Sequence, residues 1–168
     1  MFTIIIPTFD RHDLLLRSID YYQYFDCNVL IADSSNSRLN HKFPPNITYK
    51  HFPKMGFKKK IFKVTKYIKT KHVCLVADDD YIIESSLKTG ACFLDDNPDY
   101  VSVQGRYYQF ELIKNQVAFS PRYALNSNHY AVESEDRFSR IIRAANPYLH
   151  HVYAIYRTDL LVKCWKFL

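Results

Sequence analysis

Four short, uninterrupted apolar runs rich in β-branched residues constrain this chain more than any other feature: Phe2 to Ile6, Asn28 to Ala32, Val73 to Ala77 and Tyr100 to Gln104. None alternates apolar with polar, so each predicts a strand buried on both faces, as in a parallel sheet covered by helices. The intervening segments carry helical spacing. Asp10 is placed to cap a helix, with Asp13 in its first turn and Leu15, Ile19 and Tyr22 along one face. Phe57, Ile61, Val64 and Ile68 recur at helical spacing with lysines on the other side. Leu87, Ala91 and Leu94 predict a third helix, closed by Asn97-Pro98. Strand, helix, strand, helix, strand reads as an α/β fold with a mostly parallel sheet flanked by helices.

Beyond Arg106 the pattern changes. Tyr107 to Glu111 and Gln116 to Phe119 predict a hairpin around Lys114-Asn115, and residues 120–132 read as a loop. Ser134 is placed to cap an amphipathic run containing Phe138, Ile141, Ile142 and Ala145, with Glu135 and Asp136 in its first turn. His151 to Tyr156 predicts a last strand, and Thr158 or Asp159 starts a terminal helix. Trp165 on that helix suits either a surface-binding face or a core position.

With 168 residues the chain is long enough for one domain with a real core. A hydrophobic content of 48% excludes a disordered chain. No apolar run approaches the roughly 18–20 residues of a membrane span. Pro7 interrupts the opening apolar run, which argues against a signal peptide and for a cytoplasmic protein, with peripheral contact to a membrane left open. Cys27, Cys74, Cys92 and Cys164 lack metal-site spacing and read as buried reduced thiols. The formal net charge of +6 is unevenly placed. From Ser34 to Ala77 there is no acidic residue, while Arg38 to Lys71 supplies 11 lysines and arginines. Such a stretch suits a polyanion, whether a nucleotide diphosphate, a nucleic acid or an anionic membrane, or else a solvated helix face.

Three apolar runs end in polar residues: Pro7-Thr8, Asp33, and Asp78-Asp79-Asp80. In open α/β sheets, ligands bind outside the carboxyl ends of the strands, so these groups are expected on one rim. Two carboxylates about 5 Å apart repel by roughly 3 kcal/mol at an effective dielectric near 20. The aspartate triplet therefore calls for a proton or a cation between its members. A hard, oxygen-ligated ion, Mn²⁺ or Mg²⁺, suits that position. The competing reading is a solvated acidic turn capping the helix that begins near Glu84.

These motifs, in this order, resemble a family-2-like glycosyltransferase of GT-A type over nearly the whole chain. Pro7-Thr8-Phe9-Asp10-Arg11 is similar to the family's opening, and Asp33-Ser34-Ser35 to its acidic-serine turn. Ala77-Asp78-Asp79-Asp80-Tyr81 resembles its D-x-D motif, Asn97-Pro98-Asp99-Tyr100-Val101 the segment that follows, and Tyr156-Arg157-Thr158 a later aromatic-Arg segment. The resemblance implies a Rossmann-like GT-A domain over residues 1–168. Residues 1–105 would be the nucleotide-sugar-binding half and 106–168 part of an acceptor-side half that ends early. It implies transfer of a sugar from a nucleotide-diphosphate donor, with UDP favoured, to an acceptor hydroxyl on a glycan, lipid-linked or protein molecule, assisted by Mn²⁺ or Mg²⁺. No nucleic-acid partner is implied. Thr8 and Asp33 would line the base and ribose pocket, Asp78 and Asp79 would lie near ribose and diphosphate, and Asp80 would lead the metal ligands, with Asp78 as the second. Pro7, Asp10, Arg11 and one lysine of Lys58–Lys60, taken as Lys59, complete the implied nucleotide contacts.

An inverting reaction also needs a carboxylate base. The resemblance implies a base beyond Leu168, with Glu133, Glu135 or Asp136 as alternatives more readily explained as helix-start acids. His129 is a weak candidate for acceptor contact, and His150-His151 reads as structural. The alternatives to an active transferase are a nucleotide-sugar-binding remnant without the base, or another Mg²⁺-dependent nucleotide-processing α/β enzyme.

Overall fold

The computed structural model describes residues 1–122, 131–146 and 150–167, which form two compact units. The first comprises Met1–Gln104 together with the chain from Val152 onward. It is built on a six-stranded sheet of order β3-β2-β1-β4-β8-β5. The strands are β1 (Phe2–Thr8), β2 (Asn28–Asp33), β3 (Ile47–His51), β4 (His72–Leu75), β5 (Ser102–Val103) and β8 (Ile155–Arg157). β1 to β4 pair in parallel, whereas β8 runs antiparallel to both β4 and β5.

Successive side chains on a strand face opposite ways, and here both ways are covered. Ile4, Ile6, Val29, Ile31, Cys74 and Val76 join one buried cluster with Leu15, Ile19 and Tyr22 of α1 (His12–Tyr22) and Leu87 and Leu94 of α3 (Glu84–Asp96). Ile5, Leu30, Ala32, Val73 and Leu75 join the other with Ile61 and Val64 of α2 (Phe57–Thr65) and Leu161 of α5 (Thr158–Phe167). The mainly parallel sheet between helical layers is the architecture the apolar runs predict. Trp165 packs edge-on against Phe57 at 5.8 Å and adjoins the second cluster, so it has a core role as well as an exposed rim.

Several local expectations change. β3 escapes the sequence reading because Ile47-Thr48-Tyr49-Lys50-His51 interleaves polar residues, as befits an edge strand. The run from Tyr100 to Gln104 yields only the two-residue β5, half-buried rather than enclosed. α1 begins after Arg11, not Asp10. Asp10 instead adopts φ 50° and accepts hydrogen bonds from Asn36 N and Nδ2, both at 3.1 Å. Two of the four cysteines, Cys92 and Cys164, are exposed, while burial pushes the Cys27 thiol up to about 12.

The second unit, Gly105–His151, holds a hairpin and a helix. β6 (Tyr108–Ile113) and β7 (Gln116–Pro121) pair antiparallel. Lys114 and Asn115 at the turn have φ 47° and 65°, the left-handed pair that a two-residue hairpin turn demands. α4 (Arg137–Ala145) is capped by Asp136 rather than Ser134, with Asp136 Oδ2 accepting from Ser139 N at 2.7 Å. His129 lies outside the described residues.

Candidate functional site

The chain passes from β1 outward to β2 and β3, then crosses back to lay β4 on the other side of β1. That reversal makes the carboxyl ends of β1 and β4 a topological switch point, where open α/β sheets leave a crevice. Register brings the predicted residues to this rim: Thr8 pairs opposite Asp33, and Ile5 opposite Leu75. The polar ends of β1, β2 and β4 therefore share one edge of the sheet.

Asp78 ties that edge together. It is 2% exposed, and its Oδ2 accepts from Thr8 Oγ1 at 2.6 Å. Its Oδ1 pairs with Arg11 Nη1 at 2.9 Å, and Arg11 Nη2 pairs with Asp79 Oδ2 at 2.6 Å. The cation that the aspartate triplet requires is thus supplied, for Asp78 and Asp79, by the Arg11 guanidinium. The hydrogen bond to Asp79, then the charge of Asp78, holds Arg11 protonated above its ordinary range. α1 secures the backbone of the same turn. Ser18 Oγ donates to Asp78 O at 2.7 Å, while Tyr22 OH donates to Asp80 O at 3.2 Å and accepts from Ile82 N at 3.0 Å. The sequence places Tyr22 on the core face but does not reveal that its hydroxyl fixes the aspartate turn.

Asp33 is enclosed at the end of β2. It is 0% exposed, so it presents no surface to a ligand. Oδ1 accepts from Ser35 N at 2.7 Å and from Ser35 Oγ; Oδ2 accepts from Tyr49 OH at 2.5 Å and from His12 Nε2 at 3.0 Å. Burial alone would raise the carboxyl; the bonds from Ser35, Tyr49 and His12 outweigh it and leave Asp33 below the ordinary carboxylate range. Burial and the bond to Asp33 in turn push the Tyr49 phenol up to about 12. Ser35 Oγ also accepts from Asp10 N at 2.8 Å, which couples this centre to the loop after β1.

Of the three consecutive lysines, Lys60 is the one that reaches the strand ends. Lys59 is exposed, whereas Lys60 is 3% exposed. Its Nζ donates to Thr8 O at 2.6 Å and to Ser34 Oγ at 2.9 Å, bridging the ends of β1 and β2. Desolvation lowers its pKa, against the opposing pull of Asp33 and Asp78. Lys60 precedes Val64 by four residues and so shares the buried stripe of α2, a signal present in the spacing. Pro7 is half-buried opposite Ala32, and Asp10 is exposed.

Among the described residues no three His, Cys, Asp or Glu side chains gather into a metal cage. Asp78 has both oxygens engaged by Thr8 and Arg11, Asp79 is 47% exposed with Oδ2 on Arg11, and Asp80 is half-buried at the turn's end. Carboxylate oxygens without sulfur or imidazole suit a hard ion that keeps most of its shell as water and phosphate oxygens. In chemical type the donor set fits Mn²⁺ or Mg²⁺. Asp136 is occupied as a cap, and the Ser139 N–H holds its carboxyl below the ordinary range, unfavourable for a base.

A mainly parallel sheet flanked by helices, with acidic residues at its switch-point rim, is an α/β architecture of GT-A type. The chain belongs to glycosyl transferase family 2, whose sequence model matches residues 3–165. Among solved structures, S. aureus TarS 1-349 in complex with UDP-GlcNAc is similar at 21% identity and TM-score 0.55, over 97% of this chain and 47% of that one. The mannosyltransferase PcManGT from Pyrobaculum calidifontis, in complex with GDP-Man and Mn²⁺, is similar at 16% identity and TM-score 0.58, over 97% and 46%. At these identities the likeness concerns the fold, and the chain spans just under half the length of each of these two. Comparison with curated proteins gave no match.

Proposed function

We propose that this protein binds a nucleotide-diphosphate sugar, a UDP-sugar in the first instance, and transfers the sugar to an acceptor hydroxyl with the help of Mn²⁺ or Mg²⁺. The observation that carries the reading is the network joining Thr8, Asp78, Arg11 and Asp79 across the switch point. The two similar structures holding UDP-GlcNAc, and GDP-Man with Mn²⁺, support the donor class. Residues 1–105 form the donor side, closed by β8 and α5, and the second unit belongs to the acceptor side.

In this reading Pro7 and Thr8 form the floor beneath the nucleotide, and Asp10 and Arg11 form its wall. Lys60 holds the ends of β1 and β2 at fixed separation. Asp33 acts through Tyr49, His12 and Ser35, the groups it orients, rather than by direct contact. Asp80 and Asp79 would hold the divalent ion, which when bound offsets charge developing on the departing diphosphate. Arg11 keeps Asp78 and Asp79 from repelling one another and so keeps the turn ready for that ion.

Asp80→Asn tests the assignment, because it removes the charge while keeping the side chain's size and shape. Titration of UDP with and without Mn²⁺ is expected to lose the metal-dependent gain in affinity. Unchanged Mn²⁺ dependence would remove Asp80 from the site. Binding of UDP-sugar without any transfer or hydrolysis would assign the protein a binding role instead.

A further inference from the structure

We infer that the α2–α5 face of the first unit is a docking surface for an anionic lipid bilayer. The inference is independent of the donor site. It rests on what the buried side of α2 leaves over. Lys60, Ile61, Val64 and Thr65 face inward, so Lys58, Lys59 and Lys63 cover the exposed side, continued by Lys66 just past the helix. α5 packs beside α2 and adds exposed Lys163 and Lys166. The stretch from Ser34 to Ala77 has no acid to neutralise this charge, and on α5 only Asp159 does so, 4.0 Å from Lys163.

Apolar groups stand among these ammonium groups. Phe57 is 50% exposed, its ring against the half-buried Trp165 of α5, and Phe167 is 88% exposed. Lysine ammonium groups stand next to aromatic rings here, Lys66 Nζ 5.8 Å from the Phe62 ring centre and Lys63 Nζ 5.7 Å from that of Phe52, so charge and apolar surface are interleaved. An interfacial surface combines such lysines with aromatic anchors. A nucleic acid is the less favoured occupant. Every exposed base of α2 and α5 is lysine, without the guanidinium fork that reads phosphate and base edges.

Trp165, the sole tryptophan, sits in this surface and reports on it. The full chain is mixed with vesicles of phosphatidylcholine alone or with added phosphatidylglycerol, and partition is read by sedimentation and by Trp165 emission. Partition to phosphatidylglycerol vesicles, weakened by salt and accompanied by a blue shift, is expected. A neutral vesicle should bind little. Each lysine near an anionic surface strengthens partition about fivefold, so Lys63→Glu, Lys66→Glu and Lys166→Glu together should abolish it. Their thermal midpoint and UDP affinity should stay near wild type, since none of the three packs in the core or touches the donor site. Equal partition to both vesicle types would overturn the inference, as would unchanged partition of the triple variant. Salt-steep binding to an RNA oligonucleotide without vesicle partition would overturn it in favour of nucleic acid.

Discussion

Single side chains hold this site in a way that chemical type alone does not disclose. Lys58, Lys59 and Lys60 are the same residue in sequence, yet helical phase buries the last and exposes the others. Lys60→Met should cost about 1–3 kcal/mol, because it removes a charged donor from Thr8 O and Ser34 Oγ. Lys59→Met should change stability by no more than about 0.5 kcal/mol, as surface substitutions do. Denaturant unfolding of the pair tests the contrast. Asp33 makes a second, pH-dependent prediction. Its folded pKa lies below the unfolded value of about 3.9, so its contribution is present above that pH and is lost as pH falls through the lower folded value. Asp33→Asn should therefore flatten the acid limb of stability against pH, measured as thermal midpoint from neutrality downward. That Asp33 ends a strand at the rim was legible. That four donors enclose it was not, because Tyr49 belongs to the strand the sequence concealed and His12 to a helix start.

Elements were legible where burial is two-sided and obscure where it is not. β1, β2 and β4 are continuous β-branched runs because helices cover both their faces. β3 and β5 lie at the two edges of the sheet, where one flank needs no apolar residue and the pattern breaks. Helix ends were misplaced for a related reason. Asp10 and Ser134 are good caps by type, but Asp10 is drawn to Asn36, a contact no local spacing rule anticipates, and Asp136, equally suited by type, caps α4 through Ser139 N in place of Ser134. Close packing between elements gives a further test. A Cβ at Gly90 of α3 would fall inside contact distance of Ile155 Cδ1 and lie 3.1 Å from Val103 Cγ1, so the helix approaches β8 and β5 only because the position is glycine. Gly90→Val should lower stability by about 1–3 kcal/mol through overpacking, read as a drop in thermal midpoint without loss of helical circular dichroism at low temperature.

For the molecule as a whole, the sequence reads as one domain of two halves meeting at residues 105–106, and the two compact units part between Gln104 and Gly105. What the sequence did not announce is the chain's return: residues from Val152 supply β8 and α5 to the first unit's sheet and core. Short range patterning cannot announce a contact between Ser102 and Tyr156, fifty-odd residues apart. The same return is testable. Val103 and Ile155 are antiparallel register partners, so the points where the chain leaves and rejoins the sheet are neighbours. Replacing residues 105–151 by a short Gly-Ser turn should leave a first unit that unfolds in a single urea transition and keeps its UDP affinity. Loss of cooperative unfolding would mean that the sheet depends on the excised stretch. A detour anchored on adjacent strands has an evolutionary consequence. Recombination at those two flanks can swap, stretch or trim the intervening stretch while every rung of the ladder keeps its partner, which lets a lineage diversify there without refolding the rest.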